Sequence, residues 1–170
     1  MTDCRRATMI GLVAVLLLWV APSFAGQAGS EKEWVIFLVR HAEKLDESAD
    51  PPLNETGRAR AESLAALLAD AGIAHILSSD YLRTLDTAAP LAGRLGLETA
   101  QYDPRDLPGL AARISEKPGR YLVVGHSNTT PELAELLGGD SKGPITEKEY
   151  DRLYILTRRK AKTTTTLLRY

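Results

Sequence analysis

The feature that most constrains this chain is an alternation: short apolar, strand-prone runs, each followed by a polar cluster and then by a segment with helical spacing. Trp34-Val35-Ile36-Phe37-Leu38-Val39 has no polar interruption, as a strand covered on both faces requires. Residues 121–124 repeat that character, and 73–77 form a weaker run between the two. Over 55–70, Ala59, Leu64, Leu67 and Leu68 recur at helical spacing, with Asn54 as N-cap and Gly72 beyond the end. Further helices are predicted over 82–95, stopped by Gly96, over 107–114, closed by Pro118-Gly119, and over 131–137, with Thr130 as cap and Pro131 at the first helical position. Two β-like runs, 153–157 and 163–168, flank the basic turn Arg158-Arg159-Lys160 and read as a terminal hairpin. Strands separated by helices need crossover connections, so the pattern predicts an α/β protein, a mainly parallel sheet between helix layers in a three-layer α/β/α sandwich.

The first 25 residues stand apart from that pattern. Arg5 and Arg6 precede an apolar run over 9–20, and Ser23-Phe24-Ala25 precede Gly26, which is the organisation of a secretory signal peptide. The run is 12 residues long, short against the roughly 20 that span a bilayer, so no stable membrane span is expected after cleavage. The expected organisation is a signal peptide over 1–25, a linker over 26–32 and one domain over 33–170, secreted or periplasmic. Removing Arg5, Arg6 and Asp3 takes the formal charge from −1 to −2, and no basic block remains of the kind a nucleic-acid binder needs. The single cysteine, Cys4, leaves with the signal, which excludes an intramolecular disulfide, a thiol nucleophile and a zinc–thiolate site in the domain.

In open α/β sheets, function gathers at the carboxyl ends of the strands. There the sequence places Arg40-His41-Ala42-Glu43-Lys44, Ser78-Ser79-Asp80-Tyr81-Leu82-Arg83-Thr84 and Gly125-His126-Ser127-Asn128-Thr129. If the three strands are parallel, Arg40, His41, Arg83 and His126 meet at one edge. Two guanidiniums and two imidazoles make a cationic pocket suited to a phosphoryl group, whose oxygens match the arginine fork, and a helix starting near Thr130 adds backbone N–H donors. An imidazole facing phosphorus can attack it to give a phosphohistidine, and fixed arginines supply the charge a metal would otherwise supply, so no cofactor or metal is called for.

The segments LVRHAEK, PPLNETGRARA, SSDYLRTLDTA and VVGHSNT, in that order, resemble those of the histidine phosphatase superfamily, also called phosphoglycerate mutase-like. The resemblance spans roughly residues 34–140. It implies that His41 is the nucleophile, that Arg40 and Arg83 clamp the phosphoryl group, and that His126 completes the pocket, with Ser127 and Asn128 beside it as substrate-binding candidates. It also implies a mixed, mostly parallel sheet flanked by helices. Ala42 stands where members often carry glycine, 45–50 lack an asparagine found there, and Asn54 replaces the threonine of LTxxG. No long insertion covers the pocket, which favours hydrolysis over mutase chemistry, since an uncovered phosphoenzyme meets water. The leaving alkoxide needs a proton; the segment that holds the acid in relatives contains Glu98, Asp103 and Asp106. With Glu98 on a short edge strand and Asp106 capping the third helix, Asp103 is the candidate acid and Glu43 its rival.

The expectation is a metal-independent phosphomonoester hydrolase acting on a phosphorylated small molecule or protein. Two alternatives stand beside it: a metal-dependent hydrolase using His41, Glu43 and His126, and a non-catalytic module that binds a phosphorylated envelope ligand. His75, between Ala74 and Ile76, reads as a structural histidine, and one of Ser78, Ser79 and Asp80 as the cap of the second helix. Asp50-Pro51-Pro52 reads as a rigid turn, and 158–160 as a solvated hairpin tip.

Overall fold

The computed structural model describes Met1 and residues 34–170. The chain divides into two units, Met1–Ser30 and Glu31–Tyr170, and everything below concerns the second. The expected signal peptide, its cleavage site, Cys4 and the linker lie outside the described residues.

The second unit runs β1 (Trp34–Arg40), α1 (Glu55–Leu68), β2 (His75–Ser79), α2 (Leu82–Leu95), β3 (Thr99–Tyr102), α3 (Leu107–Glu116), β4 (Arg120–Gly125), α4 (Thr129–Leu136), β5 (Arg152–Arg159) and β6 (Lys162–Arg169). The six strands form one sheet in the order β3-β2-β4-β1-β5-β6, the first four parallel and the last two antiparallel. This is the mainly parallel sheet that the alternation predicts, mixed as the resemblance implies. Successive side chains of β1 point to opposite faces, and each face has its own core. Ile36 and Leu38 pack with Leu110, Ile114 and Leu133 from α3 and α4. Val35, Phe37 and Val39 pack with Leu64, Leu68, Ala88 and Leu91 from α1 and α2. A central strand buried on both sides therefore accounts for the unbroken apolar run, and helices on both faces give three layers. No helix among the described residues is long and apolar enough to cross a membrane.

Local signals worked where they rest on capping. Asn54 Oδ1 accepts from Gly57 N at 2.8 Å, Asp106 Oδ1 accepts from Gly109 N at 3.0 Å, and Gly96 ends α2 in the left-handed conformation, φ 63°. Three expectations need correction. The second strand lies two residues later than 73–77, because Ser78 and Ser79 are strand residues with fully buried hydroxyls, and their polarity hides them from an apolar pattern. Helix α2 is capped by none of Ser78, Ser79 or Asp80: Leu82 N donates instead to Asp50 Oδ1 at 2.9 Å, so the Asp50 turn is a distant cap. Helix α4 begins at Thr129 rather than after Thr130, whose hydroxyl donates to Val39 O at 3.2 Å and ties the helix to β1.

Candidate active site

Sheet register builds the site. Arg40 pairs with Gly125 across β1 and β4, and His41 N donates to Gly125 O at 2.9 Å, so His41 and His126 leave neighbouring strands side by side. Their rings lie 5.5 Å apart, edge to face. Ser78 pairs with Val124 on the other side of β4, which brings the next residue, Ser79, to within 2.9 Å of His126 Nε2 through its hydroxyl. Gly125 is required at this crossing: a Cβ would sit 2.9 Å from Thr129 Oγ1 and 3.0 Å from Tyr102 Oη. Gly57 does the same for the loop after His41, where a Cβ would lie 2.2 Å from Glu43 O. The glycine of the LNETG segment therefore lets α1 approach the His41 loop.

These elements surround a cavity of about 400 Å³ lined by Arg40, His41, Arg83, His126, Ser127 and Asn128, among others. All six of the substrate-facing candidates are thus brought together. His41 is buried, and its Nδ1 lies 2.7 Å from Ala42 O. A carbonyl only accepts, so Nδ1 carries the hydrogen and Nε2 the lone pair. The loop is fixed in turn by α2, since Ala42 N donates to Thr87 Oγ1 at 3.0 Å. Burial pushes His41 down to about 3, with Arg40, His126 and Arg83 pushing the same way against the Ala42 hydrogen bond. Burial followed by Arg83 and Arg40 pushes His126 down to about 4. Both imidazoles are neutral at physiological pH, the state in which a histidine can attack.

The arginines are positioned by contacts the sequence did not announce. Arg40 Nη1 donates to Thr146 O, Glu147 O and Glu149 O at 2.9 to 3.1 Å, and its guanidinium lies 4.2 Å from the centre of the Tyr150 ring. Arg83 stacks 4.4 Å from the Tyr81 ring centre and lies 3.6 Å from Asp50 Oδ1. Arg40 Nε and Arg83 Nη1 are buried with no hydrogen-bond acceptor. Unsatisfied buried charged donors are costly, and an oxyanion of two or more oxygens is the group that relieves both.

Neither candidate acid reaches this cavity. Asp103 is held at 2.9 Å by Arg105 Nε and again by Arg105 Nη2, which lowers its carboxyl below the usual range and keeps it ionised. Glu43 turns away to Arg60, whose Nη2 donates to Oε1 at 2.7 Å; burial raises that carboxyl, but the Arg60 bonds outweigh it and hold it low. The same contact removes Glu43 from the alternative metal set of His41, Glu43 and His126. Among the described residues no group of three or more histidine, cysteine or acidic side chains is gathered that could hold a metal ion. His75 opens β2 at the opposite end of the sheet, 4.7 Å from the Tyr121 ring.

Sequence reasoning missed Tyr81, Tyr150, Asp50 and Glu147. Tyr81 was visible beside Arg83, but its stacking was not. Asp50, Glu147 and Tyr150 lie in loops with no periodic signal, and only the fold brings them to the arginines.

The chain is similar to known proteins in part of its sequence and in its fold. The family model of the histidine phosphatase superfamily (branch 1) matches residues 36–105. A probable phosphoglycerate mutase GpmB of Yersinia pestis is 42% identical over 77 residues, which cover 41% of this chain and 35% of that protein. The chain therefore spans about a third of the length of the curated relatives it matches. Among solved structures, the protein histidine phosphatase SixA complexed with tungstate has a TM-score of 0.64 at 22% identity, covering 79% of this chain and 96% of that one. Mycobacterial glucosyl-3-phosphoglycerate phosphatase has a TM-score of 0.64 at 16% identity, covering 81% and 98%. At such identities the structures speak for the fold alone, and the sequence likeness is confined to part of the chain. Over residues 36–105 this chain is similar to the histidine phosphatase superfamily (branch 1), and it shares the fold of the solved members.

Proposed function

We propose that this chain is a phosphomonoester hydrolase that works, without a metal ion, through a phosphohistidine on His41. One observation carries the reading: a neutral histidine with its Nε2 lone pair free lies in a cavity with two arginines that each hold a buried, unsatisfied donor. The phosphoryl oxygens take the hydrogen bonds of Arg40 and Arg83, and His41 Nε2 bonds to phosphorus as the ester oxygen leaves. His126 stands beside the transferred group, oriented by Ser79, whose hydroxyl is in turn 3.0 Å from Thr84 Oγ1. The arginines neutralise the charge that builds up on the phosphoryl oxygens, the part a metal ion plays elsewhere. Water then cleaves the P–N bond. Hydrolysis is favoured over transfer to a second alcohol because the mouth of the cavity is open to solvent through exposed Arg105 and Glu147.

The substrate class is a phosphorylated small molecule or a phosphorylated protein; a protein histidine phosphatase and a sugar-phosphate phosphatase are both among the structural relatives. The test is turnover of 4-nitrophenyl phosphate by the purified full chain, with and without a chelator. Chelator-insensitive release of nitrophenol is expected, with a loss of at least about 10⁴-fold in His41→Ala, the scale on which removal of a covalent nucleophile acts. Binding of phosphate without any turnover would select the non-catalytic alternative. Export is part of the proposal, on the charged start, short apolar core and small residues before Gly26. Mass spectrometry of protein from the producing cell is expected to find Gly26 as the first residue, and a form that keeps Met1 would contradict it.

A further inference from the structure

We propose that Glu147 is the proton-transferring carboxyl of this site, resting on the hydrolase reading above: it guards Arg40 in the free enzyme and serves the leaving oxygen once a phosphoryl group displaces it. The position is specific. Of the described residues that line the cavity, Glu147 alone carries a carboxyl. Its Oε2 accepts from Arg40 Nη2 at 3.1 Å, and its Oε1 is 3.5 Å from Ser127 Oγ. It is therefore an anion already seated on two of the residues that would hold a phosphoryl group.

The backbone beneath Glu147 is tied from two sides, whereas its side chain stands out into solvent. Arg40 Nη1 holds the carbonyls of Thr146, Glu147 and Glu149. Glu149 locks the same turn from the other side, accepting from Thr146 N at 2.8 Å and from Arg152 and Arg169. Those bonds, the Thr146 amide first, pull the Glu149 carboxyl down to about 2, so the anchor stays ionised. The Glu147 side chain, by contrast, is 79% exposed. A carboxylate on an immobile stem at the mouth of the cavity can swing from Arg40 to a neighbouring oxygen without disturbing the clamp.

The proton balance closes with no further reactant than water. A phosphomonoester monoanion enters on Arg40 and Arg83 and displaces Glu147, which takes the proton from the phosphoryl oxygen. As His41 Nε2 bonds to phosphorus, the P–O bond breaks with its electron pair on the leaving oxygen, and Glu147 gives that oxygen the proton. In the second half Glu147 accepts a proton from water as the water oxygen bonds to phosphorus, and the P–N pair returns to Nε2. The proton leaves with inorganic phosphate as Glu147 returns to Arg40.

The test compares wild type, Glu147→Gln and Glu147→Asp on 4-nitrophenyl phosphate and on glycerol 2-phosphate, with inorganic phosphate binding measured by calorimetry. Nitrophenolate leaves without help, whereas an alkoxide needs a proton. Glu147→Gln is expected to lose at least tenfold more kcat on the alkyl than on the aryl ester, with partial recovery in Glu147→Asp. Phosphate binding is expected to stay equal or tighten in Glu147→Gln, because a competing anion is gone. Equal losses on both esters, undiminished alkyl turnover, or weakened phosphate binding would overturn the assignment and leave His41-dependent hydrolysis standing. Failure of the wild type to show any His41-dependent turnover would overturn the hydrolase reading and this assignment together.

Discussion

The two ends of the sheet each carry a cavity and a histidine. At the carboxyl ends of β1 and β4, about 400 Å³ is lined by His41, His126 and two arginines. At the amino ends of β2 and β4, about 520 Å³ is lined by His75 with Ile76, Leu77, Leu97, Ile114 and Tyr121. Size does not distinguish them. What does is the state of the polar atoms. Arg40 Nε and Arg83 Nη1 are buried and unsatisfied, while Tyr121 Oη donates to Lys117 O at 2.7 Å and His75 packs against its ring. Parallel strands explain the asymmetry, because every loop leaving a carboxyl end brings backbone N–H groups and helix N-termini with it.

After His41 itself, the comparison is broken most severely by removing one arginine. Arg83→Ala is expected to lower kcat/KM about 10- to 150-fold, the scale of a charged hydrogen bond worth about 1.5–3 kcal/mol. Arg83→Lys is expected to recover little of it, since lysine lacks the planar fork. Steady-state kinetics checks both, and full rescue by lysine would show that charge alone is needed.

Acid sharpens the contrast next. Both histidines of the carboxyl-end cavity, His41 and His126, have folded values below the unfolded value of about 6.5. Above that pH they are neutral folded or unfolded, and their contribution is fully present. Below it the unfolded chain takes up protons that the folded chain refuses, so stability falls progressively until about pH 3 to 4. Urea unfolding at pH 7.5 and 5.5 is expected to differ by about 2 kcal/mol from this source, with His41→Asn removing about half of the difference. An unchanged pH dependence in that variant would contradict the buried neutral state.

The smallest effect belongs to the other end. His75→Gln is expected to leave kcat/KM within about twofold, as befits a substitution away from the chemistry. A large loss would mean that the amino-end cavity takes part in function.

Much of this was legible in advance. The unbroken run of β1 and the capping signals at Asn54, Gly96 and Asp106 locate elements because each is a local physical requirement. The four motifs locate His41, His126, Arg40 and Arg83 because register and strand direction turn sequence neighbours of strand ends into spatial neighbours. Asp103 and Glu43 look free in sequence, whereas each has a private arginine, at Arg105 and Arg60, and neither lines the cavity. Glu147 was overlooked because its approach to Arg40, 107 residues away in the chain, depends on how the segment between α4 and β5 folds back over the sheet edge.

The central claim is that phosphate passes through His41. Full-length protein mixed with a rapidly hydrolysed phosphomonoester, quenched without acid and digested, is expected to yield a phosphorylated peptide carrying the group on His41, labile in acid and stable in base. Turnover that leaves His41 unmodified throughout, or places the phosphoryl group on His126 or on a serine, would contradict the account.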